Sequence, residues 1–327
     1  MNAPLPRRRD PAARIILRLG LVILLLLAAL GFIVWRAPIW VAEKLSELRL
    51  SRAGIDGHTM TVDGLEIHYM EGGTGPPVVL IHGLGSQAQN DWSGLAPALV
   101  HAGYHIYAMD LPGYGHSAKP SDRTYSIPEQ AKFVESFISA NHPGAVTLAG
   151  VSMGGWVAST VALEQPQAVA RLVLIDSAGM AFHLSFDREL FTPRTREQVD
   201  QLIALVTPGP PRMPGFVKDA FIRKAQRNGW VVRRALDSMI AGADDLDQRF
   251  PSLKMPMLLV WGKQDAITSL RLGESMHHAA PQSVLAIYDG CGHIAVVSCN
   301  DRIAPTVVDF LAGNGPRPGQ TIEIPAK

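Results

Sequence analysis

The sequence predicts an α/β fold in which a mostly parallel central sheet carries helices on both faces. Three observations support it: short apolar stretches alternate with helical patterns, one long insertion lacks buried strands, and a glycine-rich turn joins one strand to a helix. Strands that are apolar throughout are typical of parallel sheets covered on both sides. We expect strands at residues 59–62, 65–69, 77–81, 104–109, 146–149, 171–175, 257–261 and 283–288.

The first 35 residues divide into a basic tail and an apolar segment. Residues 1–18 hold five arginines, and the seventeen residues 19–35 carry no charge. As a helix this segment spans roughly 25 Å, and Arg18 and Arg36 at its ends can reach the headgroups of a ~30 Å hydrocarbon core. We therefore expect a retained transmembrane anchor. A cleaved signal peptide is the alternative, although no A-x-A cleavage pattern follows.

The charge distribution predicts an orientation and excludes some partners. Arginines precede the apolar segment, so the positive-inside rule predicts a cytoplasmic N-terminus with the rest of the chain outside, in the periplasm if the protein is bacterial. The net charge of the whole chain is +1, so no broad positive field favours nucleic acid. The oligomeric state stays open, with a homodimer as one option.

Residues 36–58 are expected to form a juxtamembrane helix and a linker. The helix begins near Pro38, and Val41, Leu45 and Leu48 share one face of it. Two interpretations stay open at this stage. The helix lies along the lipid headgroups, or it only connects the anchor to the domain that follows.

The rest of the chain divides around a helical insertion. An Asp63-Gly64 turn predicts a hairpin at the start of the α/β core. The insertion follows the sixth predicted strand, and helical patterns at residues 195–206 and 215–241 indicate a cap over the sheet edge. We expect the first part of the core, the cap, the second part of the core and a loosely ordered tail at residues 59–178, 179–251, 252–312 and 313–327.

Cys291 and Cys299 are the two cysteines of the chain. An oxidising compartment would permit a disulfide between them, but spacing alone does not distinguish a disulfide from two free thiols. No cysteine–histidine spacing suggests a metal site. The chemistry that the remaining motifs predict requires neither a metal nor an organic cofactor.

Gly150-Val151-Ser152-Met153-Gly154 has the pattern G-x-S-x-G. This pattern is typical of a strained strand-to-helix turn that exposes a serine hydroxyl. An apolar strand precedes the pentapeptide and a helical pattern follows it, which is the order that such a turn requires. Ser152 is therefore the candidate nucleophile; the alternative is a glycine-rich connection in which the serine is incidental.

A serine nucleophile needs a base, and the base needs an acid that orients it. Asp265 and His293 each follow a predicted strand, at the sheet edge where α/β folds place their sites. Asp176 ends another strand and competes with Asp265, but we expect it to support the loop. Asp289 is better suited to a turn.

A tetrahedral intermediate also needs backbone N–H donors for its oxyanion. One is expected from Met153, the residue after the serine. The other is expected from Leu84, in the loop after the first buried strand, where Gly83 lets the backbone bend. We expect His82 in the same loop to have a structural role.

Together these motifs resemble the α/β-hydrolase superfamily. The resemblance runs from about residue 59 to residue 313 and rests on His82-Gly83, residues 110–117, the Ser152 turn, residues 261–265 and Gly292-His293. The anchor, the cap and the cap segment 192–200 resemble more narrowly the membrane-anchored bacterial lipases and phospholipases A, and monoacylglycerol lipases. One departure is that no glutamate follows His293 within a few residues.

The resemblance implies a serine hydrolase that cleaves lipid esters at a bilayer. Ser152, Asp265 and His293 would form its catalytic triad, and Leu84 and Met153 its oxyanion hole. A carbon–carbon bond hydrolase is the nearest alternative on the same fold, but such enzymes often have tryptophan where this chain has Ile294. A catalytically inactive membrane-tethered binding module is an alternative of another class.

Overall fold

The computed structural model describes residues 11–141, 144–181, 184–210 and 212–326. Within them one nine-stranded sheet runs in the order β1-β2-β4-β3-β5-β6-β7-β8-β9. β2 pairs antiparallel with β1 and β4, and all other neighbours are parallel. The strands are β1 Ile55–Val62, β2 Leu65–Gly72, β3 Pro77–Ile81, β4 His105–Met109, β5 Val146–Val151, β6 Val169–Ile175, β7 Met257–Gly262, β8 Val284–Tyr288 and β9 Thr321–Ile324.

Helices cover both faces of this sheet. α5, α6 and α9 pack with the cap on one face, and α3, α4 and α11 pack on the other. The predicted fold class is therefore confirmed. The helices are α1 Pro11–Arg36, α2 Pro38–Arg52, α3 Ala88–Trp92, α4 Leu95–His101, α5 Ile127–Asn141, α6 Met153–Glu164, α7 Arg196–Val206, α8 Gly215–Ile240, α9 Leu270–Ala279, α10 Ala295–Ser298 and α11 Asn300–Ala312.

The predicted hairpin is longer than the sequence indicated. Its turn has φ 47° at Asp63 and 77° at Gly64, the two positive values that a tight two-residue hairpin turn requires. β1 begins at Ile55, four residues before the predicted start. The extra residues Asp56, Gly57 and His58 are exposed and have little strand propensity, so their pairing with β2 comes from the sheet and not from local sequence.

The C-terminal segment is a correction to the prediction. Residues 313–327 were expected to be loosely ordered, but Thr321–Ile324 forms β9, parallel to β8. Arg302 fixes this strand, since its Nη2 donates to the carbonyl of Ile324 at 2.9 Å while Nη1 donates to that of Asp289 at 2.8 Å. The open edge of β8 and this arginine order a segment whose own composition is that of a tail.

The N-terminal helix α1 is fully exposed along its apolar part. Residues Leu17–Arg36 have a mean hydropathy of 2.7, and none of the most apolar stretch is buried. By length and composition this helix can cross a membrane. Residues 1–10 of the predicted basic tail lie outside the described residues.

The helix that follows, α2, packs against the domain along one side only. Pro38 and Leu50 are buried, whereas Trp40, Leu45 and Leu48 remain exposed. Of the apolar face predicted from the sequence, Leu45 and Leu48 therefore face away from the protein, whereas Val41 is half-buried. An exposed apolar face directly after a helix that is long and apolar enough to cross a membrane suits a bilayer surface.

The cap consists of α7 and α8, together with a short 3₁₀ turn at Arg188–Phe191. Thr195 and Gln198 form a capping box at the start of α7. The Thr195 hydroxyl accepts from the backbone N–H of Gln198, and the side-chain oxygen of Gln198 accepts from the backbone N–H of Thr195. The cap follows β6 and lies over the edge where the parallel strands end.

Asp110 organises the loop after β4. Its buried carboxylate accepts from the backbone N–H of Ala88 and His116 and lies 2.9 Å from Nδ1 of His68. Burial alone would raise the pKa of Asp110, but these hydrogen bonds and the nearby His82 lower it from 3.8 to about 2.

This shift makes the stability of the fold dependent on pH. A carboxyl whose pKa is lowered on folding contributes stability above its unfolded value and loses it as the pH falls through the folded value. From 3.8 to about 2 the contribution is about 2 kcal/mol. We expect the difference in free energy of unfolding between wild type and Asp110→Asn to be about 1 kcal/mol smaller at pH 3 than at pH 7.

Chemical denaturation of the detergent-solubilised chain at the two pH values measures this difference. Asp63→Asn is the matched control, since it removes the same charge at an exposed turn position that asparagine tolerates equally well. If the difference in free energy of unfolding between wild type and Asp110→Asn does not change with pH, the lowered pKa of Asp110 is contradicted.

Candidate active site

Ser152 stands at the sharp turn between β5 and α6. Its backbone has φ 54° and ψ −120°, a conformation that is strained for a residue with a side chain. Hydrogen bonds on both sides hold it there: Ser152 N donates to the carbonyl of Ile175 at 3.0 Å, and Ser152 O accepts from Ala178 N at 3.1 Å. The turn points the hydroxyl out of the sheet.

Two glycines make this turn sterically accessible. A Cβ at Gly150 would collide with the backbone of Gly154, and a Cβ at Gly154 would collide with the carbonyl groups of Ile81 and His82. Strand, turn and helix therefore pack backbone to backbone around Ser152.

The structure brings the three predicted side chains together. Ser152 Oγ lies 2.9 Å from Nε2 of His293, and Nδ1 of the same ring lies 2.9 Å from Oδ2 of Asp265. His293 and Asp265 are both buried, although they are 28 residues apart in the chain. A hydroxyl bonded to an imidazole that is oriented by a carboxylate can lose its proton to the ring when it attacks an electrophile.

Asp265 is held by its own loop. Its Oδ1 accepts from the N–H of Ile267 at 2.8 Å and of Thr268 at 2.9 Å. The Thr268 hydroxyl lies 2.8 Å from Asp265 Oδ2 and 3.0 Å from Nδ1 of His293. Sequence reasoning missed Thr268, because a single hydroxyl in a loop carries no recognisable pattern.

Asp176, the competing acid, makes no hydrogen bond to His293. Its two oxygens accept from the N–H of Gly262 at 2.8 Å and of Ala295 at 3.0 Å, so it joins the loops that carry Asp265 and His293. Complete burial raises the pKa of Asp176 well above its usual range, and the charge of Asp265 raises it further. Asp176 thus braces the site through its hydrogen bonds to both loops.

The loop that carries His293 is closed by a disulfide. Cys291 and Cys299 are bonded, with their Cα atoms 6.2 Å apart, and both residues are buried. The disulfide and the Asp176–Ala295 hydrogen bond hold this loop on either side of the histidine. They support this loop, in which no glutamate follows the histidine within a few residues.

The loop after β3 is arranged around Asp91. Its carboxylate accepts from Gly83 N at 2.9 Å and from the Ser86 hydroxyl at 2.5 Å, and burial raises its pKa. Leu84 lies between these two anchored residues. Within the described residues no protein acceptor takes the amide hydrogen of Leu84 or of Met153, so both N–H groups are available to a ligand.

His82 is buried beneath the same loop. Its Nε2 accepts from Leu111 N at 3.0 Å, and Nδ1 lies 2.8 Å from the carbonyl of Gly83, so the ring proton is on Nδ1. The ring has no contact with Ser152. This geometry agrees with the structural role expected for it.

A cavity of about 580 Å³ extends from Ser152 and His293 beneath the cap. Its walls are mostly apolar and come from α7, α8, the loop after β3 and, unexpectedly, α2. Sequence analysis did not place the juxtamembrane helix at the site. Among the described residues no cluster of three or more histidine, cysteine or carboxylate side chains could hold a metal ion.

Comparison with known proteins assigns this architecture to a family. Residues 76–298 match the alpha/beta hydrolase fold family, and the chain belongs to it. The chain is a hydrolase by fold and by its lipase-named relatives, as predicted from the motifs.

The similar proteins include enzymes named as lipases and a hydrolase named for a dienoic acid. A crystal structure of a bacterial membrane phospholipase A is similar, with a TM-score of 0.76 and 30% identity, over 91% of this chain and 98% of that one. Lipase 3 of Moraxella sp. (strain TA144) is 26% identical over 90% of this chain and 96% of its own length. The 2-hydroxy-6-oxo-6-(2'-aminophenyl)hexa-2,4-dienoic acid hydrolase of Metapseudomonas resinovorans is 29% identical over 83% and 95%.

The Asp91 contacts generate a test of the loop after β3. Asp91→Ala removes the acceptor for Gly83 N–H and for the Ser86 hydroxyl, so the Leu84 amide should move. Removing one oxyanion donor typically costs 10²–10³ in kcat, and we expect a displaced donor to cost about 10- to 100-fold. Steady-state hydrolysis of p-nitrophenyl butyrate measures it.

Asp91→Asn is the matched variant, because its amide oxygen can still accept from Gly83 N–H. We expect it to retain most of the turnover, with KM similar in both variants. A rise in KM with kcat unchanged would show that Asp91 shapes the cavity and not the loop that carries Leu84.

Proposed function

We propose that this chain is a membrane-anchored serine hydrolase that cleaves carboxylic esters of lipids, such as monoacylglycerols, lysophospholipids or phospholipids. One observation carries the proposal. The hydrogen-bonded series Ser152–His293–Asp265 opens into an apolar cavity, one wall of which is the helix that directly follows the membrane-crossing segment.

The proposed reaction passes through an acyl-enzyme. Ser152 Oγ attacks the ester carbonyl carbon while Nε2 of His293 takes its proton, and Asp265 stabilises the resulting imidazolium. The amides of Leu84 and Met153 donate to the oxyanion. The tetrahedral intermediate collapses as His293 protonates the leaving alcohol. Water then attacks the acyl group with its proton again passing to His293, and the free acid and the serine hydroxyl are restored.

The choice of a lipid substrate rests on the cavity and on its position. Side chains such as Leu202, Ile203 and Phe221 from the cap provide an apolar wall that suits an acyl chain. The anchor would keep this cavity where lipid esters are concentrated. The similar membrane phospholipase A and the lipase from Moraxella are consistent with this substrate class.

A carbon–carbon bond hydrolase is the second candidate, favoured by the relative from Metapseudomonas resinovorans that acts on a dienoic acid. Such a substrate carries a carboxylate, which calls for a cation in the cavity. Lys224 lines the cavity, but a carboxylate bound to it would lie beside the negative charge of Glu43. The anchor also has no evident purpose for a soluble acid, so we place this candidate second.

We further propose that the N-terminus is cytoplasmic and the catalytic domain periplasmic in a bacterium. The arginines before α1 support this orientation. The Cys291–Cys299 disulfide supports it independently, since disulfides persist in oxidising compartments and are rare in the cytosol. The two arguments use different parts of the chain.

The first experiment tests the nucleophile and the substrate class together. We expect a fluorophosphonate probe to label wild type and not Ser152→Ala, and lipid hydrolysis to fall by more than about 1,000-fold in that variant. The fall in hydrolysis is measured by assaying the solubilised full chain with a panel of glycerolipids and water-soluble esters. Ser121→Ala, an exposed serine outside the cavity, is the matched control.

Two results would contradict the proposal. Equal labelling of wild type and Ser152→Ala would exclude Ser152 as the nucleophile. Activity on short water-soluble esters, with none on any glycerolipid, would exclude the lipid substrate but keep the serine hydrolase.

Orientation needs a separate test. We expect alkaline phosphatase fused to the C-terminus to be active, because that reporter folds only in an oxidising compartment. A variant with Arg7, Arg8 and Arg9 changed to glutamate weakens the charge bias and should reduce this activity. A fusion reporter that works only in the cytoplasm would reverse the proposed topology.

A further inference from the structure

An ion pair joins the juxtamembrane helix to the cap at the wall of the cavity. The carboxylate of Glu43, on α2, pairs with the ammonium group of Lys224, on α8. Nε2 of Gln87, from the loop after β3, lies 3.4 Å from the same Glu43 oxygen. The pair therefore sits where the anchor, the cap and the loop carrying Leu84 meet.

These two side chains are the charges in the cavity that a ligand can reach. Among the described residues lining it, Asp91 is the other carboxylate, but it is buried and occupied by Gly83 and Ser86. His293 is occupied by the triad contacts. The remaining surface is mostly apolar, and a polar headgroup that enters has one charged place to bind.

The pair lies close in the chain to the end of the apolar helix. Glu43 follows Arg36, the last residue of α1, by seven residues and belongs to the next helix, α2. The exposed face of α2, with Leu45 and Leu48, suits the interface between headgroups and hydrocarbon. The opposite face of α2 carries Glu43 and lines the cavity.

The pair can exchange partners at low cost. Its side chains are 24% exposed for Glu43 and 36% exposed for Lys224. Ion pairs that remain in contact with water contribute little to stability, so a ligand can replace one partner without a large loss. A ligand that offers both charges leaves neither side chain unpaired, whereas an anionic headgroup would leave Glu43 beside a second negative charge.

We propose that Glu43 and Lys224 form a subsite for a zwitterionic lipid headgroup of the phosphoethanolamine type. On binding, the Lys224 ammonium takes the phosphate and the Glu43 carboxylate takes the headgroup ammonium. This inference rests on the proposed lipid hydrolysis at Ser152 and names the substrate class that the site selects. A neutral monoacylglycerol would leave the Glu43–Lys224 pair closed.

The test compares substrates that differ only in the headgroup. The solubilised full chain is assayed on mixed micelles of phosphatidylethanolamine or phosphatidylglycerol with the same acyl chains, and on p-nitrophenyl butyrate. We expect wild type to prefer phosphatidylethanolamine. Glu43→Gln should lower its kcat/KM ratio for phosphatidylethanolamine over phosphatidylglycerol about tenfold, and Lys224→Gln should lower activity on both phospholipids relative to p-nitrophenyl butyrate.

A charge exchange distinguishes recognition from bracing. The double variant Glu43→Lys with Lys224→Glu restores an ion pair. It places a positive charge beside the headgroup ammonium and a negative charge beside the phosphate. We expect the preference for phosphatidylethanolamine to stay lost. Lys44→Gln and Glu47→Gln are matched controls, because these residues form an exposed ion pair on the same helix outside the cavity.

Several outcomes would overturn the subsite. Recovery of the wild-type preference in the double variant would make the pair a structural brace, and the absence of any headgroup preference in wild type would exclude selection. Equal losses on p-nitrophenyl butyrate and on both phospholipids would also exclude it. If wild type cleaves p-nitrophenyl butyrate but neither phospholipid nor any monoacylglycerol, the proposed lipid function fails, and that result is distinct from the others.

Discussion

The site depends on one backbone constraint, the left-handed conformation of Ser152. Hydrogen bonds to Ile175 and from Ala178, both on the segment that continues from β6, hold the turn against its own strain. The same sheet edge carries the loops after β7 and β8, so a fixed serine defines where an imidazole and a carboxylate must stand. Gly150 and Gly154 allow the approach, and a side chain at either position would force the strand and the helix apart.

Around that turn the protein uses buried carboxylates as braces. Asp176 binds the backbone of the two loops that carry Asp265 and His293, and Asp91 binds the backbone beside Leu84. Burial raises the pKa of both carboxyl groups. Their hydrogen bonds to backbone N–H groups fix the loops on which Leu84, Asp265 and His293 lie.

Much of this arrangement was accessible from the sequence, because strands buried on both faces leave continuous apolar runs and the parallel connections bring their ends to one edge. Ser152, Asp265 and His293 each follow such a run. Asp176 ends another such run and was expected to support its loop. Thr268 and Asp91 were missed, because a single hydroxyl or carboxylate in a loop leaves little pattern in the chain. The strand β9 was missed since its order depends on the edge of β8 and on Arg302, and the role of α2 was missed since it depends on a cap about 180 residues away.

The placement of α2 has a consequence for how this protein should be studied. Many membrane-anchored enzymes are shortened to their globular domain before purification. Here a chain that began at β1 would keep the triad but lose one side of its cavity, including Ile39, Ala42 and Glu43. Such a fragment would have a more open cavity, and substrates measured on it would report on that altered cavity.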